Sequence, residues 1–128
     1  MNSIKQTYLI KAPVEKVWDA LTNKEAIESW GGGPAEMDNN KGTKFKLWGG
    51  DIFGENIEVI PNKKLVQNWY AGKWDKPSVA TFDLTFKNGV TTVNLVHENV
   101  PEYEAKDIEE GWKDYYMIPL KKFAEKKE

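Results

Sequence analysis

The sequence of 128 residues contains no cysteine, no arginine and one histidine, His97. Lack of cysteine excludes thiol nucleophiles, disulfides and thiolate metal sites together, and a lone histidine is too few for an ordinary zinc site. No metal or cofactor is expected. Because every one of the 18 basic residues is lysine, the planar guanidinium fork is missing, which weighs against guanine readout, bidentate phosphate clamping and phosphoryl transfer. No basic groove accompanies the aromatics, so nucleic acid is not an expected partner. No apolar run approaches the roughly 20 residues that span a bilayer. The opening Met1 to Gln6 enters an alternating pattern with no apolar signal core, so a cytoplasmic location is expected.

What is present is ordinary globular material: 40% hydrophobic, 30% charged, net charge −2. A chain of this length makes one domain, 1–128, and buries roughly two-thirds of its unfolded surface. The lysines alternate with acids, as around Glu125, and read as a solvated face.

Ile4 to Ile10 alternates and predicts a first strand. Pro13 suits a first helical position, Glu15 the positive end of the helix dipole, and Val14, Val17, Trp18 and Leu21 share one face. Thr22 with Glu25 three residues on reads as a capping box for a second short helix, which Gly31-Gly32-Gly33-Pro34 stops. From there to about residue 100 the period is two. Strands are predicted at 43–48, 52–60, 65–70, 79–86 and 90–96, with Asn88-Gly89 closing the last hairpin, and connections this short require antiparallel neighbours. The segment from about 105 to 126 places Ile108, Trp112, Tyr115, Tyr116, Leu120 and Phe123 on an apolar stripe. It predicts a long amphipathic helix, interrupted by Pro119, lying across the sheet. The expected fold class is α+β: about six antiparallel strands wrapped around a long C-terminal helix, with two short helices after the first strand.

Alternation assigns the inward faces: Phe45 and Leu47; Phe53, Ile57 and Val59; Leu65, Gln67 and Trp69; Ala80, Phe82, Leu84 and Phe86; Val93, Leu95 and His97. Gln67 and His97 are polar on an apolar face. A buried amide or imidazole left unpaired costs about 1–3 kcal/mol, so each requires a partner: Tyr115 or Tyr116, bound water, or a ligand. Trp69, Trp112, Tyr115 and Tyr116 are placed to meet between sheet and helix, where rings with polar tips either pack as core or hold an amphiphile. Gly111 removes side-chain volume there, for a cavity or for tight packing. The candidate ligand-contacting set is Phe45, Leu47, Phe53, Gln67, Trp69, Phe82, Leu95, His97, Trp112, Tyr115 and Tyr116.

Particular residues go further. Ile10-x-Ala12-Pro13-x-x-x-Val17-Trp18-x-Ala20-Leu21-Thr22, then Trp30-Gly31, resembles the opening of the START-like, birch-allergen-like superfamily. Val66-x-x-Trp69, Lys73-Trp74, Ala80-Thr81-x-x-Leu84-Thr85-Phe86 and Gly111-Trp112-x-x-Tyr115-Tyr116 resemble the C-terminal domain of the activators of the 90-kDa heat-shock-protein ATPase, a family of the stress response. This resemblance spans nearly the whole chain. It implies a helix-grip fold and a cavity between sheet and helix that superfamily members use for hydrophobic ligands and, in some branches, cyclase chemistry. In the chaperone activators it implies a protein-binding module. No counterpart of those activators' Asn-x-Asn-x-Trp-His-Trp segment is found in the sequence, so full co-chaperone activity is not what the resemblance implies. His97, in Val93-x-Leu95-x-His97, matches a histidine of small stand-alone members.

Three readings follow: a carrier or sensor of a hydrophobic small molecule; a module that docks on the 90-kDa heat-shock protein; and a cyclase-like enzyme with His97 as general base and Tyr115 or Gln67 orienting a substrate, joined by Glu58 should a bulge turn it inward. The first is favoured and catalysis is not expected. The enzyme reading lacks a nucleophilic triad, a nucleotide fingerprint or an evident carboxylate pair.

Overall fold

A computed structural model describes residues 2–126; Met1 and the charged ending at Lys127 and Glu128 lie outside them. Strand β1 (Asn2–Ile10) is followed by helices α1 (Val14–Thr22) and α2 (Lys24–Trp30). Strands β2 (Lys44–Leu47), β3 (Ile52–Ile60), β4 (Lys64–Ala71), β5 (Ser78–Lys87) and β6 (Val90–Val100) come next, and a C-terminal helix built from α3 (Ala105–Gly111), a π turn (Trp112–Met117) and α4 (Ile118–Glu125) ends the chain. The sheet order is β1-β6-β5-β4-β3-β2, antiparallel throughout. Short connections make each strand from β2 to β6 pair with its successor. α1 and α2 carry the chain from β1 at one edge to β2 at the other. Among the described residues no helix is long and apolar enough to cross a membrane.

Local chemistry sets most boundaries. Asn88 (φ 53°) and Gly89 (φ 80°) form the expected hairpin turn. Pro13 precedes the first helical residue, one place earlier than expected. The cap of α2 also differs: Asn23 accepts the Ala26 N–H at 3.0 Å, while Thr22 spends its hydroxyl on the Trp18 carbonyl at 2.8 Å. Thr22 is buried at the end of α1, where back-bonding to the preceding turn is its nearest option.

The larger correction lies in β3. Its register on β4 moves from Asn56 opposite Gln67 to Glu58 opposite Val66, a bulge at Ile57. Since successive residues alternate faces, one extra residue reverses the assignment on one side of it. Val59 packs against the core as expected, but Phe53 stands opposite Tyr70 and stacks on it at 5.0 Å on the outer face. The inward residues in that half are Ile52, Gly54 and Asn56. Glu58, the carboxylate a bulge was to turn inward, is exposed. Phe86, expected inside, is 49% exposed beside the hairpin turn.

The core lies between the sheet and the terminal helix. Phe45, Leu47, Leu65, Phe82 and Leu95 rise from the sheet; Trp112, Tyr116, Met117 and Leu120 descend from the helix; Val17, Leu21, Ile27 and Trp30 close one side. Pro119 leaves the helix continuous. It has no N–H to offer the carbonyl four residues back, and the turn preceding it widens so that the Ile118 N–H reaches Lys113, five residues back. The widened turn buries Trp112, Tyr116 and Met117 and leaves Tyr115 70% exposed, against the expected stripe. The helix end is clamped by Glu125, which accepts the Lys11 backbone N–H and the Lys121 ammonium, each at 2.8 Å. Those bonds, the Lys11 N–H first, hold its carboxyl below its usual range.

Gly54 is where β3 and β4 admit no side chain: a Cβ there would fall 1.8 Å from the Asn68 carbonyl oxygen and 3.0 Å from the Phe45 ring. Gly54→Ala is expected to lower unfolding stability by about 1–3 kcal/mol in urea denaturation. An unchanged midpoint would show that this register is wrong.

Candidate functional site

Where the tight turn Trp48–Gly50 and the start of β3 approach α3 and the π turn, a pocket of about 360 Å³ opens, lined by Trp48, Asp51, Ile52, Trp69, Asp107, Ile108, Gly111, Trp112, Tyr115 and Tyr116. Trp69, Trp112 and Tyr116 are buried and form its inner wall, while Asp51, Asp107 and Tyr115 are exposed at its rim. A Cβ at Gly111 would meet nothing within 4 Å. The glycine therefore leaves room in the pocket and does not serve tight packing of helix on sheet.

The hollow is not where alternation placed it. Beneath the middle of the helix the rings interlock: Trp69 on Trp112 at 5.1 Å, Trp112 on Tyr116 at 4.7 Å, and Phe82 on Trp112 and Tyr116 at 5.6 and 5.9 Å. Of the candidate set, Trp69, Trp112, Tyr115 and Tyr116 come together at the pocket. Phe45, Leu47, Gln67, Phe82, Leu95 and His97 are buried in the core and do not line it, and Phe53 is on the far face of the sheet. The sequence reading missed Trp48, Asp51, Ile52 and Asp107. Trp48 falls at the end of the strand predicted at 43–48 and Asp51 in the gap before the next, so the sequence pattern marks neither as part of a site. Trp48 adopts φ 49°, a region bulky residues rarely occupy. Its indole N–H donates to the Gly31 carbonyl at 2.7 Å and its ring meets Tyr116 edge-on at 6.2 Å.

The buried polar groups form two networks. The Trp112 indole N–H donates to His97 Nδ1 at 2.9 Å, which requires the ring proton to sit on Nε2. Nε2 in turn donates to the Ser78 hydroxyl at 2.7 Å, and Ser78 donates to the Trp69 carbonyl at 2.6 Å. Burial pushes the His97 pKa down to about 3. The imidazole is neutral, has both nitrogens engaged, and touches neither Tyr115 nor Gln67 through a hydrogen bond. In the second network Gln67 donates to Asn56 Oδ1 at 3.0 Å, and Asn56 donates to the carbonyls of Asp38 and Asn40 at 3.1 and 3.3 Å. Asn56 was the missed member, hidden by the bulge. Among the described residues, three buried side-chain polar atoms have no hydrogen-bond partner: Gln67 Oε1, Trp69 Nε1 and the Tyr116 hydroxyl. The last two belong to the inner wall, and burial raises the Tyr116 pKa. Among the described residues no group of three or more His, Asp or Glu could hold a metal ion.

The family "Activator of Hsp90 ATPase homolog 1-like protein" matches residues 11–125. The human "Activator of 90 kDa heat shock protein ATPase homolog 1" is 29% identical over 121 residues, 93% of this chain and 35% of the human protein. A Dictyostelium discoideum homologue is 31% identical over 107 residues, 81% of this chain and 28% of its own. The chain thus spans about a third of the length of these curated relatives. Among solved structures, an HSP90 activator from Plasmodium falciparum superposes with a TM-score of 0.83 at 26% identity, covering 92% of both chains. The Aha1 dimer from Colwellia psychrerythraea gives 0.83 at 24% identity, with 98% and 97% covered, and shares the fold. With six antiparallel strands, a helix gripped against them and a match from residue 11 to 125, this chain belongs to the family of Activator of Hsp90 ATPase homolog 1-like proteins.

Proposed function

We propose that the domain binds a compact hydrophobic or amphipathic small molecule in the pocket between β3, β4 and the terminal helix, as a carrier or sensor. The observation that carries this reading is Gly111, whose missing side chain faces open space at the edge of an aromatic-walled pocket. Glycine within a helix costs about 1 kcal/mol relative to alanine, and tight packing does not explain it here. The volume sits at the low end of the roughly 300–1,000 Å³ of small-molecule sites, which favours a ligand smaller than a diacyl lipid.

Docking on the 90-kDa heat-shock protein is the second reading, supported by the family and by the names of the relatives. Tyr103 and Tyr115, 82% and 70% exposed at the head and middle of the C-terminal segment, are aromatic contacts for such a partner. Pull-down with the chaperone and an ATPase assay test it: retention that falls at least several-fold in the Tyr103→Ala/Tyr115→Ala double variant supports docking, and no retention of the intact chain sinks it.

The carrier reading is tested by titrating fatty acids, flavonoids and sterols while following the indole N–H resonances of Trp69 and Trp112. A shift of both by at least one class, abolished in Gly111→Leu with Tm unchanged or raised, is the expected result. No shift with any class refutes it.

His97 is read as a positioning residue, and its titration checks that. The unfolded histidine titrates near about 6.5 and the folded one near about 3, so as pH falls the unfolded chain takes the proton first. The stability gained by keeping the ring neutral is complete above about pH 6.5 and is lost progressively toward pH 3, at up to ~1.4 kcal/mol per pH unit. Urea denaturation from pH 7.5 to 4 is expected to show this loss, and His97→Phe to flatten it whatever its absolute stability. Identical slopes for both proteins would contradict a buried neutral imidazole.

A further inference from the structure

We propose that this pocket selects an organic cation over an anion of the same size; the inference rests on the small-molecule reading above and specifies the charge of the ligand. The two ionisable residues at its rim with a formal charge are Asp51, at the start of β3, and Asp107, in the first turn of α3, and no lysine lines it. Neither carboxylate takes part in an ion pair among the described residues. The helix reinforces their sign: from Glu104 to Asp114 it carries Glu104, Asp107, Glu109, Glu110 and Asp114 against Lys106 and Lys113. The walls have the complementary property. The less buried rings of the lining, Trp48 and Tyr115, attract a cation, most strongly when it is partly desolvated.

An anionic head in the same place meets two carboxylates without an ion-pair partner and two aromatic rings. A cationic head meets attraction from both, and its hydrophobic body replaces water against the buried inner wall. The ligand class is therefore an amine or quaternary ammonium at one end of a compact apolar body.

Three probes on one 6-methoxynaphthalene frame separate charge from shape: the 2-methylene-trimethylammonium, the 2-methanol and the 2-acetate. Binding is followed by amide and indole shifts of the 15N-labelled protein at low salt. The cation is expected to bind roughly tenfold more tightly than the anion, with the alcohol between them and the ratio shrinking as salt rises. In Asp51→Asn/Asp107→Asn, both exposed positions, the ratio should fall toward one while affinity for the alcohol is kept. Gly111→Leu should abolish all three. If the alcohol binds but the cation and the anion bind equally, or the anion binds better, the charge inference fails and the pocket reading stands. Should none of the three perturb the pocket, both fail. Cation binding that persists in Gly111→Leu would be adsorption to the acidic helix and would also overturn the proposal.

Discussion

The bond from the Trp112 indole to His97 fixes the terminal helix to the sheet at a single rotational setting. Hydrophobic contact alone tolerates sliding of a helix over a sheet, because apolar surface is interchangeable. A buried N–H donor is not: leaving it unpaired costs about 1–3 kcal/mol. With Trp112 pointed at β6, His97 pointed at Ser78 on β5, and Ser78 closed on the Trp69 carbonyl of β4, one chain of bonds crosses three strands and the helix. It also sets the charge state of the core, since a neutral ring is the form that accepts from the indole.

That setting decides where space is left. Held by His97, Trp112 lies along Trp69 and against Phe82, and Tyr116 four residues later packs on both Trp112 and Phe82. These large rings occupy the middle of the grip, where a hollow was expected. The available room is displaced to the end of the sheet, where the helix passes Gly111 and begins its π turn, and where Trp48, in its left-handed conformation, stands as the opposite wall. A group tuned by burial to stay neutral near pH 7 is a poor proton shuttle, and histidine is the only side chain whose ordinary pKa lies in that range. His97, with both ring nitrogens engaged, is thus not poised as a general base in this structure.

Much of this was readable in the residues. The period of two, the Asn88-Gly89 turn and the absence of any long connection after residue 43 determine an antiparallel meander, and the apolar stripe of the last segment determines what covers it. Gln67 and His97 were recognisable as groups that need partners, because they interrupt alternating apolar runs. Their partners were not. Asn56 reaches Gln67 only because a bulge at Ile57 changes the parity of β3, and nothing in Ile52-Phe53-Gly54-Glu55-Asn56 distinguishes a bulged strand from a regular one. Ser78 lay one residue outside the strand as drawn. The same parity change sent Phe53 outward. Tyr115 left the apolar stripe because a π turn adds rotation that a period of 3.6 does not include, although Pro119 marked the place. The pocket itself joins a turn near residue 50 to a helix near residue 110, and proximity of that kind is set by the sheet order, not by any local pattern.

The π turn links the two functional readings. It presents Trp112 and Tyr116 to the inside and Tyr115 to the outside within a single widened turn, so a molecule seated against the inner rings and a protein docked on the outer one would meet the same short stretch of backbone. A π turn replaces the i→i−4 hydrogen bonds of the α-helix by i→i−5 bonds. If both occupants favoured the same form of that turn, each would strengthen the other's binding by an equal factor, since coupling between two sites is reciprocal. If they favoured different forms, the pocket would act as a release device for the partner. Under both proposals the backbone from Trp112 to Met117 would be the shared element.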